Sequence, residues 1–185
     1  MKIDIKEINT EITMDEFIEG FFDAERFEKS CSFCHGFGKT WACPPYNFDP
    51  IKLWRSYDRL AVIGKKILVP DSLLNGSYSH DELNTVMDSI VSPVKHTLFD
   101  ELLTLEHRTP YSMMLSAGGC DICEECVRSS GKPCIHPELL RFSIESLGGD
   151  VVKIVEKLLN EKLLWAQDGK LPEYFIIVGG LLLRG

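Results

Sequence analysis

No run of this 185-residue sequence is long and apolar enough to cross a bilayer: the longest, Tyr174 to Leu183, has ten residues where a spanning helix needs roughly 20. Such a run predicts a buried strand. Positive charge is not in excess either. A formal net charge of -8 argues against nucleic acid and against an anionic membrane as partners, because both need a field of the opposite sign. A redox partner protein or a small-molecule substrate stays open. The first residues, Met1 to Phe17, mix acids through their length. They have neither the apolar core of a secretory signal nor the acid-poor character of a transit peptide, so the expected location is cytoplasmic. Repeats and low-complexity tracts are missing. So are a Ser-His-Asp pattern, the H-E-x-x-H of zinc proteases, the G-x-G-x-x-G of dinucleotide sites and the C-x3-C-x2-C of radical S-adenosylmethionine enzymes.

What the sequence does have is seven cysteines. An odd number cannot all pair within one chain, and in a reducing compartment clustered cysteines point to metal or redox chemistry. Cys120, Cys123 and Cys126 repeat as C-x2-C-x2-C, the opening of the bacterial ferredoxin run, in which a short loop hands one thiolate to each of three irons. Zinc asks for four ligands on one atom, most often from two C-x2-C pairs on separate turns. The spacing therefore favours a 4Fe-4S iron-sulfur cluster, with zinc as the alternative. Two cysteines compete for the fourth place. Cys134 lies eight residues after Cys126, and Cys43 stands before Pro44 as the distant ligand of two-cluster ferredoxins stands before proline. Proximity selects Cys134.

Cys31, Cys34 and Cys43 then remain as a set of three. On a four-iron cluster they would leave one iron open to water, substrate or another side chain; on zinc they would need one distant ligand. For this set the two metals stand level. His35 and His136 could fill a fourth position, although a solvated loop histidine is the ordinary reading of each. Thiol redox through Cys31 and Cys34 is weaker, since the pair opens no thioredoxin-like helix.

The segments "CSFCHGFGKTWACPPY" and "AGGCDICEECVRSSGKPCIHPELLRFSIESLGGDV" together resemble a family described as predicted metal-binding proteins, a domain of unknown function. The likeness runs from about Cys31 to the end of the chain. It implies metal binding through the cysteines just named and implies no particular reaction. In that family an arginine often stands where this chain has Ile135.

Other signals are weaker. "GFGKT", Gly36 to Thr40, ends like a phosphate loop, but Phe33 occupies the place of the leading glycine, so nucleotide binding is rejected. Trp41 and Tyr46 could shield a cluster from water or simply pack. Asp121, Glu124 and Glu125 interleave with the cysteines, where carboxylates would lower a cluster's potential and Arg128 and Lys132 would oppose them.

Along the chain, Phe17, Phe21 and Phe22 predict a helix over Met14–Lys29. One or two helical turns follow within Asp49–Arg59, and Arg59–Val69 reads as a strand before Pro70. Residues 70–82 read as a loop. Leu83 to Leu105 keep a 3.6-residue apolar period over His80–Arg108, predicting a long helix that Pro93 kinks or splits. Tyr111–Gly119 predicts a short strand feeding the second cysteine loop. Helices are expected over 136–149, from a proline at its start and glycines at its end, and over Asp150–Leu164. Gly179-Gly180 suggests a bulge or a close approach. The expected fold is α/β: one domain over 1–185, a sandwich of a small three- to four-stranded mixed or antiparallel sheet packed with helices, with cysteine-rich metal-binding loops at 31–46 and 117–138.

Overall fold

In the computed structural model, which describes residues 3–185, four strands form one antiparallel sheet: β1 (Ile5–Thr13), β2 (Arg59–Leu68), β3 (Met113–Leu115) and β4 (Tyr174–Leu183), in the order β1-β2-β4-β3. The central strands alternate toward two apolar layers. Leu60 and Val62 of β2, with Ile176, Val178 and Leu182 of β4, turn to one face and pack against Phe17, Trp54, Ile144 and Ile154. Ile67 and Phe175 turn to the other, and Met114 and Leu181 join them there, under Ile90, Val94, Leu98 and Leu102 of the long helix. Both faces are therefore covered, as expected of an α/β sandwich. No helix among the described residues is long and apolar enough to cross a membrane.

Among the described residues six α-helices surround the sheet: α1 (Met14–Phe21), α2 (Ala24–Cys31), α3 (Pro50–Trp54), α4 (Asp71–Leu74), α5 (His80–Arg108) and α6 (Val151–Lys157). The α/β class, β2, β4 and α5 agree with the sequence reading. Single turns α3 and α4 fall within Asp49–Arg59 and within the expected loop after Pro70. Three differences have local causes, and at Pro93 the helix continues unsplit. The expected Met14–Lys29 helix is two helices, because Phe22 is extended and pairs with Gly149, while Asp23 accepts a hydrogen bond from Arg26 N at 3.1 Å and caps a new start. Pro93 does not split α5: its missing N–H costs one ladder bond, and the residues on either side, Ile90 and Val94, are held on the same apolar layer. Segment 136–149 forms no α-helix. It is pinned instead, with Ser116 N donating to Phe142 O at 2.8 Å, Arg141 paired to both carboxylate oxygens of Glu106 (2.8 and 3.0 Å), and a 3-10 turn at Glu145–Leu147. The next helix is also shorter than expected, ending at Lys157.

Strand β1 is the element the sequence reading did not anticipate. Its Ile8 and Ile12 face inward, but it lies at the edge of the sheet and its other positions are mostly exposed, so its apolar signal is thin. Gly179 proves to be a close approach and not a bulge. The β2–β4 register runs through it unbroken, and a Cβ there would stand 2.6 Å from Leu102 Cδ1 and 2.9 Å from Leu115 O.

Candidate metal centre

Both cysteine segments sit where regular structure stops. Cys31 is the last residue of α2, and the chain then makes turn upon turn: Cys34 N donates to Cys31 O at 2.8 Å, Phe37 N to Cys34 O at 3.1 Å, and Cys43 N to Thr40 O at 3.2 Å. Gly38, at φ 67°, supplies the left-handed step these turns need, and its N–H donates to Pro44 O at 2.8 Å. The second segment leaves β3 through Ser116 and Gly118. Helix α5 fixes its start: Lys95 Nζ donates to Gly119 O and to Asp121 Oδ2, each at 2.7 Å, and His96 Nε2 lies 3.4 Å from the same carboxylate. Cys126 then precedes a 3-10 turn, Val127–Ser130.

Arg128, on that turn, ties the two segments together. Its guanidinium donates to the carbonyls of Thr40 (2.6 Å), Cys43 (2.5 Å) and Pro45 (2.5 Å), and lies 5.1 Å from the centre of the Trp41 ring. Trp41 returns the contact through Nε1 to Lys132 O at 3.0 Å. A planar fork with several fixed donors suits a row of carbonyls in a way a lysine does not.

The result is a cleft of about 530 Å³ faced by six cysteines: Cys31, Cys34 and Cys43 from the first segment, and Cys120, Cys123 and Cys126 from the second. Behind the second group lies a cavity of about 20 Å³ lined by Cys120, Cys123, Cys126 and Cys134, with Trp41 and His136 also in its wall. Cys134 thus meets the C-x2-C-x2-C triplet, while Cys43 stays with Cys31 and Cys34. All seven cysteines are free. Among the described residues no three His, Cys, Asp or Glu side chains converge as the ligands of a single metal ion. Of the aromatic pair weighed in the sequence, Trp41 lines the cysteine cavity, whereas Tyr46 packs against Phe48 and Phe142.

Burial pushes the Cys31 thiol up to about 11, helped by the neighbouring Cys43 and Glu145. Burial likewise raises Cys43 and Cys120. The protein alone therefore keeps these sulfurs protonated at neutral pH, and a bound cation would reverse that preference and release protons. Two details fit sulfur that becomes thiolate. The Thr40 hydroxyl is buried with no hydrogen-bond partner. A Cβ on Gly36 would meet Cys43 Sγ at 3.1 Å and Thr40 Oγ1 at 3.8 Å, so glycine leaves the sulfur and the hydroxyl side by side. A charged sulfur is the acceptor that hydroxyl lacks.

Sequence reasoning did not single out Thr40, Lys95 or Glu145, all of which line the cleft. Thr40 was concealed in a rejected phosphate-loop pattern, Lys95 in a helix surface, and Glu145 in a segment read as helix. Arg128 was noticed only for its charge.

A family model described as predicted metal-binding protein (DUF2284) matches residues 19–183. The chain belongs to this family. The match spans both cysteine segments and the whole of the cleft. No curated protein and no solved structure matches the chain. Membership of DUF2284 agrees with a donor set of soft sulfur and leaves the metal to be argued from the residues.

Proposed function

We propose that this chain is an iron-sulfur protein in which Cys120, Cys123, Cys126 and Cys134 hold a 4Fe-4S cluster, Cys31, Cys34 and Cys43 hold a second metal centre, and the shared cleft serves redox chemistry. The observation that carries this reading is the grouping of sulfurs: four around one small cavity, and Cys31, Cys34 and Cys43 around the cleft that three of those four also line. Their spread counts against zinc. One zinc ion draws four ligands to about 2.3 Å from a single point; a cluster distributes its thiolates over separate irons, which suits sulfurs spread around a cavity and a cleft.

Such a cluster supplies one-electron transfer when bound, and an iron lacking a cysteine ligand can also take a small molecule. The chain's own residues do the rest. Trp41 walls the four-cysteine cavity, which limits water at the sulfurs. Lys95 pairs with Asp121, which offsets that carboxylate's charge at the beginning of the loop. Arg128 keeps the two walls in register through backbone carbonyls. The cleft opens to solvent past the exposed Cys34, so a small molecule or the surface of a redox partner can reach it. Located in the cytoplasm, such thiols would stay reduced and ready for metal.

Oxygen-free purification should yield brown protein with iron and acid-labile sulfide in fixed proportion to chain. Colourless protein carrying zinc alone, even after reconstitution with iron and sulfide, contradicts the reading.

A further inference from the structure

Three thiolates leave the centre at Cys31, Cys34 and Cys43 one ligand short, and the cleft contains an acid, Glu145, with no ion-pair partner among the described residues. We propose that Glu145 supplies the missing ligand through a carboxylate oxygen; the proposal rests on the reading that those three cysteines hold metal.

The position of Glu145 is built. Its neighbours Ile144 and Leu147 are fully buried in the core. Ser143 and Ser146 bond each other reciprocally, Ser146 N to Ser143 Oγ at 3.2 Å and Ser143 N to Ser146 Oγ at 3.0 Å. Trp54 Nε1 donates to Leu147 O at 2.9 Å. The turn that presents the carboxylate therefore cannot swing away without disturbing the core. A Cβ on Gly118 would lie 4.0 Å from Glu145 Oε1, which locates the acid beside the entry to the second cysteine segment. It lines the same cleft as Cys31, Cys34 and Cys43, the set that lacks a ligand.

The other oxygen and nitrogen donors around the cleft are less suited. Asp121 is taken by Lys95 and His96. Glu124, Glu125 and His35 are exposed, so ordering them on a metal would cost side-chain entropy and leave solvent to compete. Glu145 has no ion pair among the described residues and is partly withdrawn from solvent. Burying a carboxylate without a cation is unfavourable, and a metal would supply one. Oxygen is a poorer ligand than thiolate for iron in a sulfur environment, so an incoming molecule can displace it. That makes this position the exchangeable one.

The test uses the full chain, reconstituted without oxygen. Metal per chain is followed during a chelator challenge, alongside the electron paramagnetic resonance spectrum of the reduced protein, for wild type, Glu145→Gln, Glu145→Cys and Cys43→Ser. The expected result is loss of metal from the centre at Cys31, Cys34 and Cys43 at least ~10-fold faster in Glu145→Gln, with the metal of the four-cysteine set retained, and slow release restored in Glu145→Cys with an altered spectrum. A purely structural role would not be rescued by cysteine. If Cys43→Ser loses metal while Glu145→Gln matches wild type in retention and spectrum, the proposal is overturned and the metal reading stands. If Cys43→Ser loses none, both fall.

Discussion

The sheet and the cysteine cleft are held together by different kinds of force. In the sheet, dozens of apolar side chains share the stabilisation: β2 and β4 bury alternate residues on both faces, and no single contact dominates. In the cleft, a few polar contacts fix two segments that have little regular structure, and one residue, Arg128, supplies three of them. Burial of apolar area is additive and tolerant, whereas a directional network fails when one donor goes. The sheet should therefore survive changes that empty the cleft, and the cleft should depend on residues that hardly matter to the sheet.

The largest expected effect is local to the cleft. Cys123→Ser should remove essentially all iron of the four-cysteine set, read by metal analysis of oxygen-free protein, while far-ultraviolet circular dichroism of the sheet is preserved. A global loss of structure would break the comparison by making the cluster part of the core. Next comes the reverse perturbation. Gly179→Ala places a methyl against Leu102 and the Leu115 carbonyl, and overpacking of this kind costs about 1–3 kcal/mol. Chemical denaturation should show that loss with metal per chain unchanged at low denaturant.

Arg128→Met should release metal into a chelator about tenfold faster, because the carbonyls of Thr40, Cys43 and Pro45 lose their shared donor. The denaturation midpoint should move little. The smallest effect concerns pH. In metal-free protein the Cys31 thiol is held at about 11, above its ordinary 9.0. As pH rises from about 9 to about 11 the unfolded chain ionises this thiol while the folded chain keeps it protonated, so stability falls across that window. Thermal melts of chelated protein should show the decline, and Cys31→Ala should lessen it.

The same contrast explains what could be read in advance. Strands β2 and β4 and helix α5 were legible because each buries a periodic apolar face, and periodicity survives without knowledge of neighbours. Edge strand β1 was not, since only Ile8 and Ile12 turn clearly inward. Segment 136–149 carried helix-like punctuation in Pro137 and Gly148-Gly149, but its backbone was claimed by Ser116 and its arginine by Glu106. Those partners lie far away in sequence. Cys134 lines one small cavity with Cys120, Cys123 and Cys126, and their local spacing is what suggested the set. Arg128, Thr40 and Glu145 act through single contacts that leave no pattern in the chain, and only the folded arrangement brings them forward.

The central claim is that these sulfurs surround a group of inorganic atoms. X-ray absorption at the metal edge of oxygen-free protein tests it most directly, because it reports what lies next to each metal. Iron with a sulfur shell and a second shell of neighbouring iron is the predicted result. A zinc edge with a single shell of four ligands at about 2.3 Å, and no metal neighbour, would contradict it.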